Sequence, residues 1–140
     1  MLRVNPYLTF NGNCREAMTF YRDCLGGELS LYPIGNSPMA ADLPEAFSDF
    51  ILHATLISGD FLLMASDMVE GEKLLRGNTC ALLLHCTSAQ EVFDYYKKLS
   101  EGGKPTNPVI HTHFGDLHGD LVDKFGNHWM LHFHATETSK

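Results

Sequence analysis

Residues 13–28 read NCREAMTFYRDCLGGE, and residues 88–104 read SAQEVFDYYKKLSEGGK. Each stretch begins with a helix-capping residue followed three positions later by a Glu, which is the signature of a capping box. Apolar residues then recur at helical spacing until a Gly-Gly pair ends the helix. The two stretches are offset by about 75 residues, so the sequence predicts that one structural unit occurs twice.

Strand-like stretches surround both helices in the same order. Residues 7–10 alternate in polarity before the first helix, and residues 80–86 form an apolar run before the second. Six more strands are predicted after the helices, at residues 29–34, 50–57, 61–66, 109–114, 117–123 and 128–134. Each half therefore reads β-α-β-β-β, and the sequence predicts an α+β fold.

The repeat also defines the expected domain organisation. We predict a single domain over residues 1–140 made of two repeats, at about 1–67 and 78–140. Residues 35–48 hold the surplus length of the first repeat and are predicted to form a mobile loop with a helical turn at residues 44–47. Residues 68–77 are the predicted connector.

The composition argues against several classes of protein. Ten basic and seventeen acidic side chains give a formal charge of −7, whereas nucleic acids and anionic membranes attract positive surfaces. The apolar runs are far shorter than the roughly 20 residues that span a bilayer, and we expect no secretory signal. Without a Cys-x-x-Cys pair, the cysteines are expected to be reduced in a cytoplasmic protein.

The four cysteines receive individual predictions. Cys80 and Cys86 share the sequence parity of the neighbouring leucines, so both are predicted to be buried thiols. Cys14 follows the first capping residue and precedes Arg15, which makes it the candidate for a reactive cysteine.

Histidine is the unusual residue of this chain. Six of the eight histidines lie within a short C-terminal stretch: His111, His113, His118, His128, His132 and His134. Strand alternation places His128, Met130 and His132 on one side of the last strand and Trp129 on the other, where we expect it to pack or to form a dimer contact. His118 adjoins Gly119, which is interpreted as a turn residue, whereas Asp116 and Asp120 could fix histidine tautomers.

Three segments carry a resemblance to a known family: PYLTFNGNC at residues 6–14, LMASD at residues 63–67 and DKFGNHW at residues 123–129. With the repeat, they make the chain resemble the vicinal oxygen chelate superfamily, which includes glyoxalase I, bleomycin-resistance proteins and extradiol dioxygenases. Within it, the chain is similar to the PhnB-like branch, often labelled demethylubiquinone-methyltransferase-like. The resemblance implies two modules forming a cupped mixed sheet around one cavity, a small-molecule ligand and a homodimer.

The resemblance also implies four metal-ligand positions, which fall at Asn5 (or Pro6), His53, Ala81 and Met130. Ala81 has no donor atom, and the Met130 thioether suits soft metals rather than hard divalent ions. We therefore predict no metal cofactor. If a divalent metal such as Zn, Ni, Mn or Fe is bound, His53 and His132 are the expected ligands.

The sequence favours a small-molecule-binding protein with a non-metal or vestigial-metal pocket. Its predicted lining is Asn5, Tyr7, His53, Thr55, Met130 and His132. The protein would sequester its ligand or perform acid–base chemistry through His53, the candidate catalytic residue. One alternative is a divalent-metal-dependent lyase, isomerase or dioxygenase of the glyoxalase I type, and another is an interaction module with an unused cavity. The methyltransferase label gains no support, because no Gly-rich strand–helix turn is present.

Overall fold

The computed structural model describes residues 2–69 and 73–134. The chain divides into two compact units, Met1–Leu75 and Arg76–Lys140. The boundary falls within residues 68–77, the predicted connector. That residues 1–140 act as one domain around a shared cavity stays a prediction. No helix in the described part of the chain is long and apolar enough to cross a membrane.

The first unit contains one helix and four strands, which form a single mixed sheet. Its elements are β1 (Tyr7–Phe10), α1 (Cys14–Leu25), β2 (Glu28–Pro33), β3 (Ile51–Ser58) and β4 (Phe61–Asp67). The strand order is β1-β4-β3-β2, with β1 parallel to β4 and the other pairs antiparallel. Three short 3-10 helices lie between β2 and β3, and the last, Glu45–Phe47, is the predicted helical turn.

The second unit repeats this arrangement. Its elements are β5 (Leu82–His85), α2 (Ala89–Ser100), β6 (Lys104–His111), β7 (Leu117–Val122) and β8 (His128–Phe133). The strand order is β5-β8-β7-β6, and β5 is parallel to β8. The predicted α+β class and the two β-α-β-β-β modules are therefore confirmed.

The predicted bounds of β6 were wrong. The strand begins at Lys104 rather than at residue 109, and it ends at His111. Pro105 and Pro108 argue against a strand in the sequence. However, β6 lies at a sheet edge, where prolines are tolerated, and its pairing with β7 is irregular. The chain then turns, with the amide of Gly115 donating to the carbonyl of Thr112.

The two helices start in different ways. At α2, the predicted Ser88 cap is present, because its hydroxyl accepts a hydrogen bond from the Glu91 amide at 3.2 Å, whereas the Glu91 carboxylate accepts from the Thr87 amide rather than from that of Ser88. At α1, the prediction was wrong, because the Asn13 side chain makes no capping hydrogen bond. The Asp67 carboxylate accepts from the Cys14 amide instead, at 3.0 Å. Asn13 lacks the extended backbone that a capping side chain needs.

Each helix packs on one side of its sheet. In the first unit, α1 lies against β3 and β4, whose residues Ala54, Leu56, Leu63 and Ala65 are buried. In the second unit, α2 lies against β7 and β8, where Leu121, Trp129 and Leu131 are buried. Because strand side chains alternate, the intervening residues occupy the other side of each sheet, which we call the helix-free face.

Candidate functional site

The first helix-free face carries three of the predicted ligand-binding residues. Tyr7 in β1 pairs with Met64 in β4, and Met64 pairs with Thr55 in β3, so these residues form one cross-strand row. His53 lies two residues before Thr55 and pairs with Tyr32 in β2. The rings of Tyr7 and His53 have centroids 6.2 Å apart, and Tyr7 is 50% exposed. The sheet thus brings together Tyr7, His53 and Thr55.

Asn5 lies just outside this face. The pairing of the first strand with β4 begins one residue later, where the Pro6 carbonyl accepts a hydrogen bond from the Met64 amide at 3.2 Å. Asn5 is exposed and precedes β1. It is therefore at the end of the strand rather than within the sheet.

The second helix-free face carries Met130 and His132. Met130 pairs with Leu83 in β5 and Asp120 in β7, whereas His132 pairs with His85 and His118 on the same two strands. His85, His132 and His118 consequently form a cross-strand row, which we call the histidine row. The ring centroid of His132 lies 5.9 Å from that of His85 and 5.9 Å from that of His118.

Two carboxylates flank the histidine row. The Nε2 atom of His118 lies 2.9 Å from Oδ1 of Asp120, and the Asn107 amide donates to Oδ2 of Asp120 at 2.9 Å. Asp116, on the other side of the row along the chain, lies 3.4 Å from Nε2 of His132 and 2.6 Å from Nδ1 of His134. The carboxylates can therefore fix the imidazole orientations.

The interpretation of Gly119 as a turn residue was wrong. His118 is a strand residue in β7, as the strand predicted at residues 117–123 implies, and Gly119 follows it within the same strand. A Cβ atom at position 119 would lie 2.8 Å from a methyl group of Val109 and 3.0 Å from the Tyr96 ring, so close packing requires glycine there. The alternation of buried Leu117, Gly119 and Leu121 was the available signal for the orientation of His118.

The remaining histidines do not join the row. His111 ends β6 and His113 lies in the following turn, and both are exposed. His128 begins β8 and pairs with Val122. Proximity in the sequence therefore overstated the size of the cluster.

The described residues do not fit the metal site that the family resemblance implies. Ala81, which has no donor atom, is exposed just before β5, and Met130 offers only a thioether. Among residues 2–69 and 73–134, no group of three or more His, Cys, Asp or Glu side chains is arranged to hold a metal ion. Catalytic metal sites normally use three protein ligands, which the described residues do not bring together.

Cys14 is poorly suited to nucleophilic chemistry. Burial, together with the negative charge of Asp67, raises the pKa of its thiol to about 12, although Arg15 acts in the opposite direction. Burial and Glu91 raise the pKa of Cys86 to about 11. Cys80, predicted to be buried, is exposed because β5 begins only at Leu82.

We predict that Cys80 alone reacts rapidly with a thiol-specific dye when the folded protein is labelled at about pH 8. Cys14, Cys24 and Cys86 are buried, and a thiol must ionise and be accessible to react. They should react only after unfolding. The release of the coloured thiolate measures the fast phase, and Cys80→Ser should abolish it. A fast phase that persists in Cys80→Ser would contradict the burial of the other three.

Comparison with known proteins gives consistent matches over nearly the whole chain. The family model described as 3-demethylubiquinone-9 3-methyltransferase matches residues 3–132. Protein YjdN of Escherichia coli K12 is 30% identical over 142 residues, which cover 91% of this chain and 92% of that protein.

Solved structures agree with these sequence matches. Protein PA1353 from Pseudomonas aeruginosa is 37% identical with a TM-score of 0.84, covering 95% of this chain and 98% of its own. A putative 3-demethylubiquinone-9 3-methyltransferase, PhnB protein, from Bacillus cereus is 23% identical with a TM-score of 0.73, covering 95% and 100%. Glyoxalase/bleomycin resistance proteins share the fold at lower identity.

Proposed function

The chain belongs to the PhnB-like 3-demethylubiquinone-9 3-methyltransferase family of the vicinal oxygen chelate superfamily, and from that premise we propose that it is a small-molecule-binding protein that needs no metal. The proposed ligand contacts on the first helix-free face are Tyr7, His53 and Thr55, with Asn5 beside them. On the second helix-free face they are Met130 and His132.

The observation that carries this proposal is the proximity of the Tyr7 and His53 rings. The centroids of these two rings lie 6.2 Å apart on the sheet face that α1 does not cover. Thr55 adds a hydroxyl beside them. Ligand sites typically combine apolar or aromatic surface with a few polar groups that fix orientation. The face thus has the composition of a binding surface rather than of a core.

His53 has a chemical role in this proposal. An imidazole can both donate and accept a proton near neutral pH, which makes histidine the most common general acid or base. A bound ligand with an exchangeable proton would contact the His53 imidazole, whereas Tyr7 would contact the apolar part of the ligand. We propose that His53 either hydrogen-bonds the ligand or transfers a proton to or from it. Cytoplasmic location and homodimer formation remain predictions.

We expect His53→Gln to weaken ligand binding about fivefold, because a hydrogen bond to a bound ligand contributes about 1 kcal/mol and a poorly matched amide would replace it. A thermal-shift screen of small organic molecules identifies binders, and calorimetric titration then gives their dissociation constants. Asp60→Asn, in the exposed β3–β4 turn, is the matched surface control and should leave affinity unchanged. Unchanged affinity in Tyr7→Phe, His53→Gln and His132→Gln together would contradict the proposed contacts.

A further inference from the structure

We propose that the histidine row and its apolar neighbours bind an organic ammonium ion, meaning a protonated amine with an apolar body. The ammonium group would lie beside His118 and Asp120, and the apolar body would lie on Met130 and Leu83. This inference rests on the proposed function, because it specifies the chemical class of the small molecule.

The carboxylates determine which imidazole nitrogen carries the proton. In a neutral histidine, one ring nitrogen donates and the other accepts. Nε2 of His118 lies 2.9 Å from a carboxylate oxygen of Asp120, and two acceptors that close would repel each other. The proton therefore belongs on Nε2, and Nδ1 remains an acceptor. The same reasoning applies to His132 beside Asp116. The row thus offers acceptors to a ligand.

The charge of this surface favours a cation. Among the described residues, neither Asp116 nor Asp120 forms an ion pair with a Lys or Arg side chain, and the whole chain carries a formal charge of −7. Oδ1 of Asp120 contacts Nε2 of His118 and Oδ2 accepts from the Asn107 amide, while the Asp120 side chain remains 28% exposed. A carboxylate or phosphate ligand would be repelled here. An ammonium ion matches this surface, because it is attracted by the carboxylates and can donate hydrogen bonds to the imidazole acceptors.

Apolar side chains adjoin these polar groups on the same face. Leu83 is 49% exposed and pairs with Met130, which itself pairs with Asp120. Neighbouring strands lie about 4.8 Å apart, so β5 and β7 are separated by about the length of a small aromatic molecule. Thioether groups pack favourably against aromatic rings. An aromatic amine therefore matches the arrangement better than a small inorganic cation.

The test compares benzylamine, which is protonated at about pH 8, with benzyl alcohol, which has the same ring and a neutral donor. Calorimetric titration of the full chain should show benzylamine binding about tenfold more tightly, because hydrogen bonds to charged groups are about twice as strong as neutral ones. Asp120→Asn should remove most of this preference and leave the affinity for benzyl alcohol nearly unchanged. A purely structural role of Asp120 would weaken both ligands equally.

Asp94→Asn is the matched control, because it removes one negative charge from an exposed position on α2 in the same unit. It should preserve the preference for benzylamine. If Asp120→Asn does not fold, Asp116→Asn replaces it, and the preference should again fall. The proposal is overturned if neither probe binds, if both bind equally, if Asp94→Asn has the same effect, or if the histidine row binds stoichiometric Zn²⁺ instead. Binding of other small molecules without a preference for amines would leave the proposed function standing.

Discussion

Asp67→Ala is expected to lower the free energy of unfolding by about 3–5 kcal/mol, because it leaves three backbone amides without their acceptor. The carboxylate accepts from Gly12 at 2.8 Å, from Cys14 at 3.0 Å and from Ile51 at 2.8 Å. It thereby joins the turn before α1 to the start of β3. Asp67 is only 7% exposed, so water cannot readily replace it in the intact fold. Urea unfolding followed by circular dichroism measures the loss.

Two further variants make this test specific. Asp67→Asn should lose less stability than Asp67→Ala, because an amide oxygen can still accept while its NH₂ group faces one of the donors. Asp60→Ala removes an exposed carboxylate from the β3–β4 turn, at the opposite end of β4, and should change stability by no more than about 0.5 kcal/mol. The account of α1 capping would be wrong if Asp67→Ala were as stable as Asp60→Ala.

Trp129→Ala is expected to cost about 3–5 kcal/mol, as large-to-small substitutions of buried aromatic residues do. Trp129 is 1% exposed, and its indole nitrogen donates to Oδ2 of Asp123 at 2.8 Å. Asp123 also accepts from the amides of Phe125 and Asn127 in the β7–β8 turn. The substitution therefore opens a cavity beneath α2 and removes a donor from a buried carboxylate. Urea unfolding followed by circular dichroism again measures the loss.

The contributions of packing and hydrogen bonding can be separated. Trp129→Phe keeps much of the apolar volume but loses the indole donor, so we expect a smaller cost of about 1–3 kcal/mol. Phe114→Ala is the surface control, because Phe114 is 86% exposed in the turn after β6. A Trp129→Ala protein no less stable than Phe114→Ala would contradict the role of Trp129 in packing.

The sequence predicted the modules well because their signals are local. Apolar periodicity and paired glycines marked both helices, and the Ser88 cap involves only neighbouring residues. The cap of α1 could not be predicted in this way, because its acceptor, Asp67, lies 53 residues away from Cys14. The predicted start of β6 was too late in the chain because its prolines are acceptable only at a sheet edge. Whether a strand lies at an edge depends on the whole sheet.

The candidate site was predicted less completely. Alternation correctly placed Met130 and His132 on the side opposite Trp129. His118 was left out of the predicted histidine cluster because Gly119 was interpreted as a turn residue, whereas contacts with Tyr96 and Val109 require glycine there. Such contacts join residues from separate elements, and a single sequence does not display them. The chemical identity of a ligand depends on these tertiary neighbours even when the fold does not.

Ligand binding before and after removal of metal tests the central proposal most directly. Protein is stripped with a chelator, its metal content is checked by elemental analysis, and the thermal shifts produced by the compounds from the screen are measured again. The proposed function predicts the same shifts in stripped and untreated protein. Shifts that vanish on stripping and return with one equivalent of Zn, Ni, Mn or Fe would contradict it, and would identify the protein as a metal-dependent member of its superfamily.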